Sequence, residues 1–340
     1  MRARSILVGL AIGLLTLWAT GPGEAEARGK KRAHKARKLG KHGRGGHAPN
    51  IAAIRDGKPN IQAASAVVVD LKTGEILFSK DPDTVRPIAS ISKLMASLVL
   101  VEKGLDLKGT QTITNDDKKV AFKGPIGKLF EGYQFKNEDL LHAALIASDN
   151  RALPALARTL GMNAQQFSAA MTERAKGLGL PNTRFEDPTG LNDGNVSTAR
   201  EVVQMLRAAL ANTTIRPILQ KKQYEVRALN KPRVITYNNT DRLIGSNTHH
   251  ILGGKTGYTD LARYCLTIAA KIGEREVAMA FLHAEGKMTR FADFNRVAFW
   301  LEHDGPALAK AAEAKSSDST KAGEPKPASD PSVRPTFFRG

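Results

Sequence analysis

The order of elements along this 340-residue chain predicts an α+β fold: an antiparallel sheet drawn from both ends of the globular region, flanked by helices, with a helical region inserted between. Three observations carry this. Short β-rich runs with a hairpin signal open the globular part, a second hairpin signal nearly closes it, and the stretch between reads as successive helices. Such an order does not fit a doubly wound sheet, in which strands and helices alternate.

The elements follow in sequence. Ala66 to Asp70 and Glu75 to Ser79 are β-rich and separated by Leu71-Lys72-Thr73-Gly74, a turn sequence. Pro87 breaks the chain ahead of a helical stretch, Ser90 to Lys103, which Gly104 closes. Asn137 to Ala147 reads as the next helix, with Glu138 and Asp139 in its first turn, where carboxylates favour the helix dipole. Arg151 to Leu160 and Asn163 to Leu178 read as two more, each followed by glycine. Thr198-Ala199-Arg200-Glu201 has the form of a capping box opening a further helix. From Arg233 the texture turns to strands, with Tyr264 to Lys271 and Val277 to His283 joined through Gly273-Glu274-Arg275. Phe291 to His303 closes the region as a helix.

The ends differ from this middle. Arg2 and Arg4 precede an apolar run, Ile6 to Ala19, too short for a comfortable membrane span, and Ala25-Glu26-Ala27 offers small residues for cleavage. Residues 1–27 therefore read as a signal peptide, and the protein as exported, periplasmic or associated with the cell envelope. Residues 28–60 form a basic arm. Between Arg28 and His47 it carries Lys30, Lys31, Arg32, Lys35, Arg37, Lys38, Lys41 and Arg44 with no acid, and too little apolar content to fold alone. It reads first as a solvated tether, with anionic envelope polymers or a membrane surface as the partners it would suit. A nucleic-acid arm would share this composition, but export argues against that partner and no nucleic-acid-binding motif follows. Much of the net charge of +18 lies here, so it says little about the globular region, residues 61–304. Residues 305–340, rich in Ala, Lys, Ser, Pro and Glu, read as a disordered tail without a long amphipathic run.

Cys265 is the only cysteine, which excludes an intramolecular disulfide, and its apolar surroundings mark it as a buried strand residue. His249 and His250 are adjacent and no H-e-x-x-h spacing occurs, so no metal site is expected. His142, on an apolar helix, reads as a packing residue. A Ser-His-Asp triad lacks the g-x-S-x-g elbow that would seat it.

Three motifs in fixed order point to chemistry: Ser90-Ile91-Ser92-Lys93, then Ser148-Asp149-Asn150, then Lys255-Thr256-Gly257. Ser90 and Lys93 stand three apart at a helix start and so share a face. A serine hydroxyl needs an adjacent base at neutral pH. A lysine can be that base only when neutral, and burial or a second cation such as Lys255 would depress its pKa. Alone, the Ser148 triplet would equally suit a helix stop followed by a new N-cap. The glycines around Lys255 allow a ligand backbone to approach an edge strand closely.

Together the motifs resemble those of the penicillin-binding D-alanyl-D-alanine peptidases and their serine β-lactamase relatives, over the span from about Ala63 to His303. The resemblance implies a β-lactamase/transpeptidase-like fold, peptidoglycan stem peptides as substrates, β-lactams as covalent inhibitors and no cofactor. It implies Ser90 as nucleophile, Lys93 as its base and Ser148 as a relay of the proton to the leaving amine. Asn150 would bind the substrate backbone, and Lys255 and Thr256 its carboxylate, beside Gly257. The backbone N–H groups of Ser90 and Tyr258 would form the oxyanion hole. Asp149 would point away.

Val85-Arg86-Pro87-Ile88-Ala89-Ser90-Ile91-Ser92-Lys93 is most similar to the small D-alanyl-D-alanine endopeptidases, and the chain has no room for the extra C-terminal β domain of larger carboxypeptidases. Phe185 to Leu191 resembles the peptidase branch and reads as a structural loop. Glu186 does not match the spacing of the deacylating glutamate of class A β-lactamases. The expectation is a cross-bridge endopeptidase, with a carboxypeptidase as the alternative and a β-lactamase or a non-catalytic wall-binding module behind both.

Overall fold

A computed structural model describes residues 53–122, 124, 127–303 and 305–307. The expected signal segment, the basic run from Arg28 to His47 and nearly all of the tail lie outside the described residues. The last part of the expected arm does not. Two short strands, β1 (Ile54–Arg55) and β2 (Lys58–Pro59), pair antiparallel, Ala53 and Ile61 are buried, and the Gly57 carbonyl accepts from Trp300 Nε1 at 2.8 Å. Residues 53–60 are thus built into the globular unit, because they cover an indole that would otherwise keep an unpaired donor.

The central sheet begins with β3 (Ser65–Asp70) and β4 (Ile76–Lys80). All six residues of β3 are buried, as expected of a strand covered on both faces. The turn between them is held by Asp70, whose Oδ1 accepts from the backbone N–H groups of Lys72 and Thr73. A short strand, β5 (Arg86–Pro87), leads into a 3₁₀ turn at Ala89–Ser92 and then α1 (Lys93–Glu102). The expected helix start at Ser90 is therefore corrected: the serine lies in the tight turn, and α-helical bonding begins at Lys93.

The inserted region contains β6 (Thr110–Thr112), α2 (Asn115–Val120), β7 (Gln134–Lys136), α3 (Asn137–Ile146), α4 (Ala152–Thr159) and α5 (Ala164–Gly177). It continues with β8 (Val196–Ser197), α6 (Ala199–Ala211), α7 (Ile215–Leu219) and the ribbon β9 (Gln223–Arg227) with β10 (Val234–Asn238). The paired short strands β5·β8, β6·β7 and β9·β10 were not expected. Strands of two to five residues give too few alternations to register as a pattern.

Nine of the ten residues of α3 are buried, and α1 is buried from Lys93 through Leu100. Helices apolar all round belong inside a protein, and these two form the middle of the larger core with α4, α5 and α6.

The chain returns to the sheet through β11 (His250–Thr259), β12 (Arg263–Ile272) and β13 (Arg275–Ala284), then closes with α8 (Thr289–Glu302). The order β11-β12-β13-β3-β4 is antiparallel throughout, so late strands close on early ones as expected. Alternation divides each strand between two cores. Val67 and Val69 face the helical region, while Ala66 and Val68 face α8 with Met279, Phe281, Phe291 and Phe294. Asp293 on α8 is fully buried and accepts from the N–H groups of Gln62 and Ala63 and from Arg296, which fixes α8 to the start of β3.

The capping box at α6 forms only in part. Thr198 Oγ1 accepts from Glu201 N at 3.1 Å. The Glu201 carboxylate instead takes Asn182 N and Nδ2 and Thr183 Oγ1, because a neighbouring loop presents three donors to it. Thr198→Ala is expected to cost about 1 kcal/mol, read as a lower urea midpoint with an unchanged m-value.

Candidate active site

Three segments far apart in sequence meet at one cleft of about 680 Å³: the turn before α1, the α3–α4 junction, and β11. The turn is strained. Ala89 adopts φ +48°, a left-handed conformation costly for a residue with a Cβ. Two glycines press on it. A Cβ on Gly190 would lie 2.1 Å from Ala89 O, and one on Gly257 would lie 2.7 Å from Ile88 O and 3.2 Å from Ser90 N. The fully buried Asn195 braces the same turn: its carbonyl accepts from Ile88 N and its Nδ2 donates to Ser92 Oγ and Asp187 O. The turn holds Ser90 at the cleft wall.

Lys93, completely buried, reaches back under this turn. Its Nζ lies 2.9 Å from Ser90 Oγ and 2.8 Å from Asn150 Oδ1, and it also meets the Thr189 carbonyl. Burial lowers the Lys93 amine to about 8, with the carboxylates of Asp187 and Asp149 opposing. The neutral amine required of a base is thus accessible at mild pH. Of the two causes expected, burial and a second cation, burial supplies the depression, and the repulsion between the two amines falls on Lys255, which is held well below its ordinary value by burial first, then by Lys93 and Arg290.

Ser148 sits at the α3–α4 junction with φ +63°, and its Oγ accepts from Lys255 Nζ at 3.1 Å. The next carboxylate turns away, as expected: Asp149 accepts from Lys128 N, Arg151 N and the buried hydroxyl of Tyr237. Burial and the adjacent Asp149 carboxylate raise the Tyr237 phenol far above its ordinary value, so it stays a donor. Asn150 lines the cleft and also steadies Lys93, a task the sequence did not assign.

On the opposite wall, β11 runs in register with β12, Lys255 facing Thr267 and Gly257 facing Cys265. Lys255 is buried, and Thr256 Oγ1 lies 2.7 Å from Thr240 Oγ1. Tyr258 is 44% exposed at the rim and stacks on Tyr264 with centroids 4.4 Å apart. All eight expected site residues therefore gather within one constellation, in which Ser90 and Lys93 pair directly and Ser148 and Lys255 form a second pair.

Other participants had no motif to announce them. The Phe185–Leu191 loop, read as structural, supplies the Thr189 carbonyl to both Lys93 and Ser90. Asp187 shapes that loop by accepting from the N–H groups of Thr189, Gly190 and Asn192. Arg290 on α8 donates to the carbonyls of Gly257 and Cys265 and steadies β11 from behind. Asp241, buried beside this cluster, is raised to about 6 by burial. Asp187 and Thr189 lay inside a segment already singled out; Arg290 and Asp241 are joined to the site by folding alone.

The remaining sequence expectations concern bystanders. Cys265 is buried and its thiol is pushed up to about 11 by burial, which leaves it unreactive. His142 stacks on Tyr224 at 3.8 Å and packs, as expected. Glu186 is exposed and is not among the residues lining the cleft. Among the described residues no cluster of His, Cys, Asp or Glu is arranged to hold a metal ion, nor is any helix long and apolar enough to cross a membrane.

The arrangement suits acyl transfer: a serine hydroxyl beside an amine whose pKa burial has lowered, a second hydroxyl–amine pair across the cleft, and a strand whose glycine comes against the Ser90 backbone N. Comparison with known proteins agrees. The profile of the D-alanyl-D-alanine carboxypeptidase family, S11 peptidases, matches residues 52–286. The D-alanyl-D-alanine endopeptidase of Escherichia coli strain K12 is 35% identical over 255 residues, covering 75% of this chain and 82% of that protein. The D-alanyl-D-alanine endopeptidase of Pseudomonas aeruginosa is also 35% identical over 255 residues, covering 74% and 82%. Among solved structures, the Streptomyces K15 DD-transpeptidase superposes with a TM-score of 0.67 at 28% identity, over 72% of this chain and 98% of that one. With motifs, fold and relatives in agreement, the chain belongs to the D-alanyl-D-alanine carboxypeptidase family of penicillin-binding serine peptidases.

Proposed function

We propose that this protein is a penicillin-sensitive D-alanyl-D-alanine endopeptidase that hydrolyses peptidoglycan cross-bridges in the cell envelope. The observation that carries the reading is the 2.9 Å contact between Ser90 Oγ and the buried Lys93 amine. In the neutral state that amine takes the hydroxyl proton as Ser90 Oγ bonds to the carbonyl carbon of a D-alanine. The developing oxyanion is received by the backbone N–H groups of Ser90 and Tyr258. Collapse breaks the C–N bond, and the proton held by Lys93 passes by way of the Ser148 hydroxyl, which Lys255 contacts at 3.1 Å, to the leaving amine, so that Lys93 is neutral again. Water then attacks the ester, releases the acyl group and restores Ser90. Lys255 and Thr256 hold the carboxylate next to the scissile bond, and Asn150 the substrate backbone. β-Lactams enter by the same attack and remain as slowly hydrolysed esters.

Support for cleavage of a cross-bridge, in preference to removal of a terminal D-alanine, comes from the two relatives at 35% identity, both named endopeptidases. The carboxypeptidase reading rests on the family description and on the Bacillus subtilis carboxypeptidase, 31% identical. The apolar run at residues 6–19 supports an exported, periplasmic or envelope location, and the basic arm suits anionic polymers or lipid headgroups there.

Incubating the protein with purified cross-linked muropeptide dimers, with a penicillin-treated sample as the blank, is expected to yield monomers. Dimers that only lose a terminal D-alanine would make it a carboxypeptidase. Equal products with and without penicillin would exclude both readings.

A further inference from the structure

Cleavage of a cross-bridge releases a large leaving group, so the cleft must extend beyond the Lys255–Thr256 pair. Its charged lining continues there with one sign. Among the described residues the only carboxylate on the cleft wall is Asp149, which is buried and committed to three donors. The lining cations are Lys128, Arg242, Lys287 and the buried Arg290.

Lys128 is already engaged, donating to the Thr236 carbonyl and lying over the Tyr237 ring. Arg242 and Lys287 are different. Both are exposed, and neither forms an ion pair among the described residues. The acid nearest in sequence to Lys287, Glu285, is turned to Arg263 and His283.

Their supports are well defined. The Thr240–Thr256 hydroxyl contact ties the turn before Arg242 to β11, and Asp241 Oδ1 accepts from Leu243 N just after it. Arg242 NH1 reaches Met288 Sδ at 3.8 Å, so the arginine meets the start of α8 immediately beside Lys287. The stacked rings of Tyr258 and Tyr264 line the same cleft. Arg242 and Lys287 line the same cleft as Thr256, the residue that would hold the first carboxylate of the leaving group.

We propose that Arg242 and Lys287 form an anion subsite on the leaving-group side, which takes a second carboxylate, farther along the acceptor stem of a cross-linked acidic peptide. The assignment rests on the endopeptidase reading for its substrate class. It would favour a cross-linked stem over a terminal D-alanine, because only the former carries a carboxylate this far out. Exposed pairs contribute modestly, and charge-assisted forks contribute more.

The test separates binding from cleavage by using the Ser90→Ala protein. Two cross-linked dimers serve as probes: one with free carboxylates, the other amidated only on the distal acceptor-stem carboxylate, the carboxylate beside the scissile bond staying free in both. The free dimer is expected to bind about tenfold more tightly, with the steeper salt dependence. Adding Arg242→Gln and Lys287→Gln should bring both probes to the weaker value at an unchanged melting temperature. Equal affinity of the two dimers for the Ser90→Ala protein would overturn the subsite, and that comparison needs no rim variant. A preference surviving in the triple variant would overturn it as well. If the wild type cleaves no dimer while the Ser90→Ala protein still prefers the free one, the endopeptidase reading fails and the subsite stands.

Discussion

Lys93→Met is expected to slow acylation of Ser90 by penicillin by up to about 10⁴-fold, the upper range for a positioned general base. Methionine keeps most of the volume and removes the amine. Two effects combine. The Ser90 hydroxyl loses the only amine within hydrogen-bonding reach of it among the described residues, and the Asn150 and Thr189 oxygens that the amine joined lose a buried partner, at about 1–3 kcal/mol each. The rate should be followed with a fluorescent penicillin and the fold by thermal melting.

The wild type carries the matching pH signature. Burial lowers Lys93 to about 8, and only the neutral amine can accept the proton. Below that pH the amine is charged and acylation falls; above it the rate reaches a plateau, until other groups titrate. A Lys93→Met variant acylated within tenfold of wild type, or a wild-type rate flat from about pH 6 to 9, would remove Lys93 from the role of base.

Gly190→Ala is expected to lower stability by about 3 kcal/mol or more and acylation by about 10²-fold. Gly190 has φ +84°, where an L side chain is strained, but that is the smaller part. The new Cβ would lie 2.1 Å from Ala89 O and 2.7 Å from Ser90 N. Both are backbone atoms of the strained turn that carries the nucleophile, so relief requires moving Ser90 itself. Gly74 is the control. Its φ is +76°, yet nothing lies within 4 Å of its Cβ position, so Gly74→Ala carries the conformational cost alone, about 1–2 kcal/mol, with acylation unchanged. Equal losses in the two variants would show that contact with the turn contributes nothing.

These two variants mark how far the sequence was legible. Lys93 stood in a motif whose spacing of three is meaningful on any helix start, and each of the three motifs lies on or beside an element readable from its own pattern. Gly190 lay in a loop assigned to structure, and nothing local shows that Ala89 will press against it. Asn195, Tyr237 and Arg290 are likewise ordinary residues locally; their roles come from hydrogen bonds to partners dozens or hundreds of positions away. Glu201 is the converse case. Its capping-box spacing was sound, but a loop with three donors outcompeted the helix N-terminus. The sheet was legible because its strands are β-rich apolar runs bounded by turn signals, whereas the short ribbons were not.

The pairing of β3 with β13 also bears on how the protein is made. Val68 pairs with Met279, and Arg275 bonds Asp70 across 205 positions. A chain leaving the ribosome can pair β3 with β4, but the other edge of β3 has no partner until the segment through Ala284 has been synthesised. Until then β3, apolar on both faces, keeps one edge unpaired. Contacts of this sequence separation fold slowly. Proteolytic competence therefore arrives late and all at once: the Lys255 wall reaches the Ser90 turn only when the last strands dock, and a partly made chain carries a nucleophile with no cleft around it.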